Sequence, residues 1–293
     1  MRQDAMQAKT TKKTKPQILI FFMGLSLLFG SCTSVRLAPV QEPVAQDAGF
    51  FAMGARWSFR AQGIPSNQDF MKLKDKITSF ALLYEMTFSD WHDQSELRQI
   101  ELKGWMSQKE FRISELFVEG LLLSREAHVL TKGAFDITTG ALSWKVLKRP
   151  VGLSQMKLDP DRKTVAFKQD PKRLSFGGLV KGMVLGEMAS FLVERGVGSF
   201  WIDAGGGNQV IHEAGVTRFL SRSRIYKAQS KTELHIFSPT GRKPLRESVE
   251  VECVSPSGLR SDLIRWGALS DAISTALLLD NSWALPSECR VLL

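Results

Sequence analysis

The residues with the clearest chemical potential stand in the run Ser270-Asp271-Ala272-Ile273-Ser274-Thr275-Ala276. Asp271 and Thr275 are four apart, so on a helix they share a face and offer a carboxylate and a hydroxyl to one point. Around them Leu263, Trp266, Leu269, Ile273 and Leu277 recur at roughly helical spacing, which predicts the start of a buried helix. On this reading Ser270 is the N-cap, and Asp271 falls in the first turn, where the backbone dipole favours negative charge. Hard oxygens at a positive helix end are what a small divalent cation and its phosphate would use. Taken alone, such a pair more often only caps or braces a helix.

Other runs carry compatible chemistry. Gly177-Gly178 stands before a predicted helix, where backbone can approach a phosphate closely, and Lys181 adds a point charge in the first turn. Gly182 follows that lysine where a P-loop needs Ser or Thr, so the run is not a P-loop. Gly205-Gly206-Gly207 after an apolar strand would let a ligand lie against backbone, and a tight turn explains it nearly as well. Trp91 is either a flat platform for a ring system or a core residue. His235 lies in an apolar strand pattern as a titratable group or a surface histidine. His92, His128 and His212 match no metal-ligand spacing, and no zinc site, Gly-x-Ser-x-Gly elbow or dinucleotide fingerprint is present.

In chain order, Thr87-Phe88-Ser89-Asp90-Trp91, Ser95-Glu96-Leu97, the Gly133–Gly140 run with Asp136, Gly177 to Gly182, Ile202 to Gly207, His235 to Gly241 and the Asp271/Thr275 run resemble the FAD:protein FMN transferases, the ApbE family of periplasmic flavin transferases. The likeness extends from about Met53 to the last residues. It implies an α+β, T-fold-related architecture with mixed sheets packed on long helices. It also implies FAD as substrate, Mg2+ as cofactor, and transfer of FMN to a Ser or Thr hydroxyl of an acceptor protein, such as a membrane redox subunit, with release of AMP. Under that resemblance Asp271, Thr275 and the Val180 carbonyl hold the metal, while Lys181, Gly177 and Gly178 hold phosphates. Trp91 covers the flavin ring, and Asp136, Gly205 and Gly206 line the cofactor. His235 and Lys181 carry the catalysis, His235 taking or orienting the acceptor's proton.

The chain also departs from the family pattern. Ser175-Phe176-Gly177-Gly178 stands where the family usually has Asp-Leu-Gly-Gly, Gly207 where an Asp is common, and Gly186 where an acid is frequent. An Asp and an Arg are missing after His235, and only 27 residues separate Gly207 from His235. A non-catalytic flavin-binding lipoprotein on the same scaffold therefore stands as the alternative reading.

The elements that must position these residues follow from periodicity. Amphipathic helices are predicted from Gln68 to Tyr84, from Ser114 to Leu130, and from just after Gly177-Gly178 to a stop at Gly196. Strands are predicted at Ser199–Ala204, Gln209–His212, Thr232–Phe237 and Ser248–Val254. Ser95 and Glu96 read as helix-start residues. Before the domain, Lys9, Lys12, Lys13 and Lys15 precede the twelve-residue apolar run Ile18 to Phe29, which is short for a bilayer span. Phe29-Gly30-Ser31-Cys32 resembles a lipoprotein cleavage site. The expected organisation is a signal peptide at 1–31, a lipidated Cys32, a tether over 32–49 and one domain over 50–293, lipid-anchored in the bacterial envelope and facing the periplasm.

Of the formal charge of +9, residues 1–31 hold a net +4. The remainder suits a polyanionic small ligand or headgroups better than nucleic acid. Arg218, Arg222, Arg224, Lys227 and Lys231 read as a solvated basic surface. Cys253 and Cys289 could pair in an oxidising compartment, a question two cysteines leave open.

Overall fold

Period-two and period-3.6 segments alternate along the chain. The strands are β1 Gln46–Ala52, β2 Ala55–Gln62, β3 Phe111–Arg112, β4 Met156–Asp159, β5 Thr164–Phe167, β6 Ser199–Asp203, β7 Asn208–Glu213, β8 Val216–Arg224, β9 Ser248–Val254 and β10 Cys289–Val291. The helices are α1 Asn67–Phe88, α2 Glu96–Lys103, α3 Glu115–Leu130, the single turn α4 Gly140–Ser143, α5 Val180–Glu194 and α6 Arg260–Leu277. The computed structural model describes residues 44–106, 110–143, 145–225, 236, 238–241 and 243–292. Cys32, the signal segment, His235 and nearly all of the expected strand Thr232–Phe237 lie outside these residues.

Among the described residues the strands form a seven-stranded sheet, ordered β1-β2-β6-β7-β8-β9-β10, and a small sheet ordered β3-β5-β4. Every described pairing is antiparallel. The architecture is α+β, as the sequence indicated. On β2 the alternation buries Trp57, Phe59 and Ala61 and turns Arg56, Arg60 and Gln62 outward. Against the large sheet lie α1 on β1, α5 on β7, and α6 on β8 and β9. Phe59, Val210, Phe219 and Val251 from the strands and Met183, Met188 and Ile273 from the helices belong to one buried core.

Local chemistry explains the helix starts. Ser66, Ser95 and Ser114 each accept a hydrogen bond from the backbone N–H three residues on, the arrangement that satisfies an otherwise orphaned donor. β1 opens at Gln46, inside the segment expected to be a tether over 32–49. Its alternation is thin, with only Phe50 and Ala52 buried, so composition masked it.

α5 and α6 touch at their backbones. A Cβ at Gly182 would lie 2.0 Å from the Gly267 carbonyl oxygen, one at Gly267 2.2 Å from the Gly182 oxygen, and one at Gly186 2.4 Å from the Leu263 oxygen. Three glycines inside helices sacrifice about 3 kcal/mol of propensity relative to alanine, and the crossing is the reason they are there. Gly186 thus lacks the expected acid because its helix face is closed by α6.

The bond between Cys253 and Cys289 answers the question their sequence left open. It joins β9 to β10 at directly paired positions, 36 residues apart. A loop of that size corresponds to about 4 kcal/mol in the chain-entropy treatment.

Gly182→Ala should lower stability by about 1–3 kcal/mol or more through overpacking at the crossing. Gly198→Ala, whose Cβ would meet nothing within 4 Å, should stay within about 0.5 kcal/mol of the parent. Urea denaturation of both variants checks the contrast; equal stabilities would mean that the crossing is slack.

Candidate active site

Asp271 is placed in the middle of α6, not in its first turn, and Ser270 is not a cap. The helix already begins at Arg260. Ser270 Oγ donates to the Gly267 carbonyl oxygen at 2.8 Å, a local bond that lets the serine sit inside a continuing helix. The positive end that Asp271 does meet belongs to α5. Leu179, the N-cap of α5, makes no side-chain capping bond. The Gly182 N–H in the first turn donates to Asp271 Oδ2 at 3.3 Å, so the neighbouring helix supplies the negative charge.

Asp271 is 3% exposed. Burial pushes its carboxyl up from 3.8 to about 6, while the Lys181 charge, an Asn208 hydrogen bond and the Gly182 N–H pull the other way. Asn208 was missed in the sequence. Its signal was a polar residue directly after the glycine run, at the first position of an apolar strand, where β7 buries it.

Across from this point, Lys181 Nζ donates to the Gly205 carbonyl oxygen at 3.3 Å. Gly205, Gly206 and Gly207 all have positive φ, at 68°, 83° and 114°, a conformation that side chains resist. Asp203 holds the turn by accepting from Gly205 N at 2.6 Å. Gly178 lies over Thr275, where a Cβ would come within 2.7 Å of Oγ1. The crossing of α5 and α6 therefore gathers Gly178, Lys181, Asp271, Thr275 and the Gly205-Gly206 turn. Gly177 and Gly206 are exposed, and Lys181 and Thr275 half-buried, so the cluster opens to solvent.

The other expected residues fare differently. Trp91 is 76% exposed in the loop after α1, which removes the core reading. Its loop is tied down by a strut absent from the sequence reading. Arg173 Nη2 donates to the Asp90 carbonyl oxygen at 2.7 Å, and buried Glu101 accepts from Leu174 N at 2.8 Å and pairs with Arg98. That strut connects the Trp91 loop to the segment leading into Gly177. Asp136 is buried: Oδ1 accepts from Thr138 N and Oγ1 at 2.8 and 2.7 Å, and Oδ2 accepts from Leu153 N at 3.2 Å and lies 3.5 Å from His128 Nδ1. The described contacts use Asp136 to build the loop.

Val180 is the first residue of α5. The donors expected of it, of Asp271 and of Thr275 are all oxygens. One carboxylate, a hydroxyl and a carbonyl suit Mg2+, which keeps several waters and completes its shell with substrate phosphate. Among the described residues no three His, Cys, Asp or Glu side chains gather.

Comparison with known proteins adds to this geometry. The model of the ApbE family matches residues 53–218, a span that holds Trp91, Gly177 to Lys181 and the Gly205-Gly206 turn and stops before Asp271. The flavin transferase ApbE of Vibrio cholerae superposes with a TM-score of 0.61 at 16% identity, over 80% of this chain and 86% of that one. The flavinyl transferase ApbE of Pseudomonas stutzeri gives 0.61 at 14%, and the ApbE protein of Thermotoga maritima 0.58 at 16%, each over 80% of this chain and 86% of its own. No curated protein matches.

Because the folded pKa of Asp271 is raised above 3.8, the folded state holds this proton more tightly. The resulting stabilisation is fully present below about pH 3.8 and is lost as pH rises through about 6. The ionised group therefore costs about 3 kcal/mol at neutral pH. Asp271→Asn should be more stable than the parent by about 1–3 kcal/mol at pH 7.5 in chelator, with the gain shrinking toward pH 4. Denaturation curves of both proteins across that range test the sign; a gain that does not shrink in acid would contradict it.

Proposed function

Since this chain belongs to the ApbE family, we propose that it transfers FMN from FAD to a Ser or Thr hydroxyl of an acceptor protein, with Mg2+ as cofactor and AMP as the other product. The observation that carries this reading is the convergence of Gly178, Lys181, Asp271 and Thr275 at one helix crossing, facing the Gly205-Gly206 turn. In the proposed reaction the acceptor oxygen attacks the FMN phosphorus. The bond from that phosphorus to the bridging oxygen breaks, AMP leaves with the electron pair, and the hydroxyl proton passes to a base.

The chain's own part is to position and to neutralise charge. The Gly177-Gly178 turn lets the pyrophosphate approach backbone, and Lys181 holds a cation beside it. Asp271 and Thr275, with the Val180 carbonyl, would hold Mg2+, which supplies charge neutralisation at the pyrophosphate when bound. Trp91, a solvent-exposed indole, is the proposed platform for the isoalloxazine. His235 remains the proposed proton acceptor. The acids absent at Ser175 and Gly207 favour a second reading, a protein that holds flavin without turnover.

We also propose that the protein is lipid-anchored in the bacterial cell envelope through Cys32 and faces the periplasm, with the acceptor in or on a membrane of that envelope. The Cys253–Cys289 bond supports an oxidising compartment. Cys32→Ala should release the protein from the membrane fraction or stall its processing. Unchanged fractionation and unchanged mass of the mature N-terminus would remove the anchor.

Incubation with FAD, Mg2+ and a Thr-bearing acceptor should release AMP and yield a flavinylated product. Flavin binding without AMP release would leave the second reading standing, and no flavin binding would sink both. Trp91→Ala should weaken FAD binding about tenfold, near the upper end of what a face-on stack contributes. Flavin fluorescence titration reads that change.

A further inference from the structure

α6 is joined to β8 by a ladder of buried hydroxyls. Ser221 Oγ meets Ser270 Oγ at 2.8 Å, and two strand residues on, Ser223 Oγ meets Ser274 Oγ at 2.8 Å. The spacings match because two residues of strand and four of helix advance nearly the same distance, about 6–7 Å. Ser223 Oγ makes one contact more, to Thr275 Oγ1 at 3.0 Å.

A hydroxyl has a single proton to donate, and that count gives the second rung a direction. Ser274 Oγ donates to the Asp271 carbonyl oxygen at 2.9 Å, which uses its proton. Between Ser223 and Ser274, Ser223 must then be the donor. Its proton being used, Ser223 can only accept from Thr275. The proton of Thr275 therefore points at β8, and its lone pairs are left for whatever lies beneath Gly178. The first rung ends elsewhere, because Ser270 donates to the Gly267 carbonyl oxygen and Ser221 touches neither Asp271 nor Thr275 in the described contacts.

We infer that Ser223 is a positioning residue for the metal: through Ser274 it turns the Thr275 hydroxyl proton away from the site, so that Oγ1 presents lone pairs to a divalent cation. The inference rests on the reading of Asp271 and Thr275 as cation ligands. Ser221 supplies an internal control, since it makes the same strand-to-helix bond on the same elements with no link to Thr275.

The test is direct Mn2+ binding to the full-length protein in detergent, with free Mn2+ followed by electron paramagnetic resonance and no FAD present. Ser223→Ala should weaken Mn2+ binding by about tenfold or more, the scale on which residues behind a metal ligand act. Ser221→Ala should lower Tm comparably yet leave Mn2+ affinity within about twofold. Ser223→Thr, which keeps the hydroxyl, should restore most of the affinity. If Ser223→Ala does not fold, Ser274→Ala cuts the next link and should weaken Mn2+ in the same direction. Equal affinities for Ser223→Ala and Ser221→Ala, with Mn2+ still lost in Thr275→Val, would overturn the inference alone. A parent that binds no Mn2+ saturably, or an unaffected Thr275→Val, would overturn it together with the reading it rests on.

Discussion

The contact on which the rest of this structure depends is the backbone meeting of Gly182 and Gly267. Helices whose side chains interdigitate lie about 8–10 Å apart, but here a single methyl group would strike a carbonyl oxygen from either side. The approach fixes the first turn of α5 against the middle of α6. Lys181 and Asp271 are neighbours only because the two helices come that close. Gly178 reaches Thr275 for the same reason, one turn further along. A looser crossing would leave a lysine and an acid each facing solvent, and no cluster.

Close packing also explains the electrostatics. Asp271 is almost out of water, which opposes its ionisation, yet it faces an N–H at a positive helix end, an amide and a lysine. None of these donors is surplus: without them a carboxylate in such a place would remain protonated. The compensation is partial, and the carboxyl stays above its ordinary range. A group held in that balance gains from any further positive charge that arrives, which makes the position a good one for a cation and a poor one for stability in its absence.

Much of the scaffold could be read from the residues in order. Ser95 and Ser114 were legible as helix starts because capping is local, and α3 and α5 because their apolar periods are long. β8 was missed: its inner face is Thr217, Phe219, Ser221 and Ser223, so the alternation looked polar and Arg218, Arg222 and Arg224 were counted as a charged surface. Its serines are inside because α6 carries serines opposite them, a fact of tertiary structure. The start of α6 was misplaced for a related reason. Ser270 has the composition of a cap, and only the bond to Gly267 shows that it turns back into its own helix. At the candidate site, residue types and spacing singled out Asp271, Thr275 and Lys181, whereas the contacts of Asn208 and Ser223 are with partners far along the chain that no local pattern names.

The disulfide has a consequence for what happens when the chain is cut. Cys253 and Cys289 flank α6, so Asp271 and Thr275 lie within the covalent loop that the bond closes. The stretch after α6 includes exposed positions at Asn281, Ser282 and Ala284, where a protease would find purchase. A single nick there would yield two polypeptides that migrate as one until reductant is added. α6, with Asp271 and Thr275, would remain joined to β9 by the unbroken chain, and the bond would hold the severed β10 against that same strand.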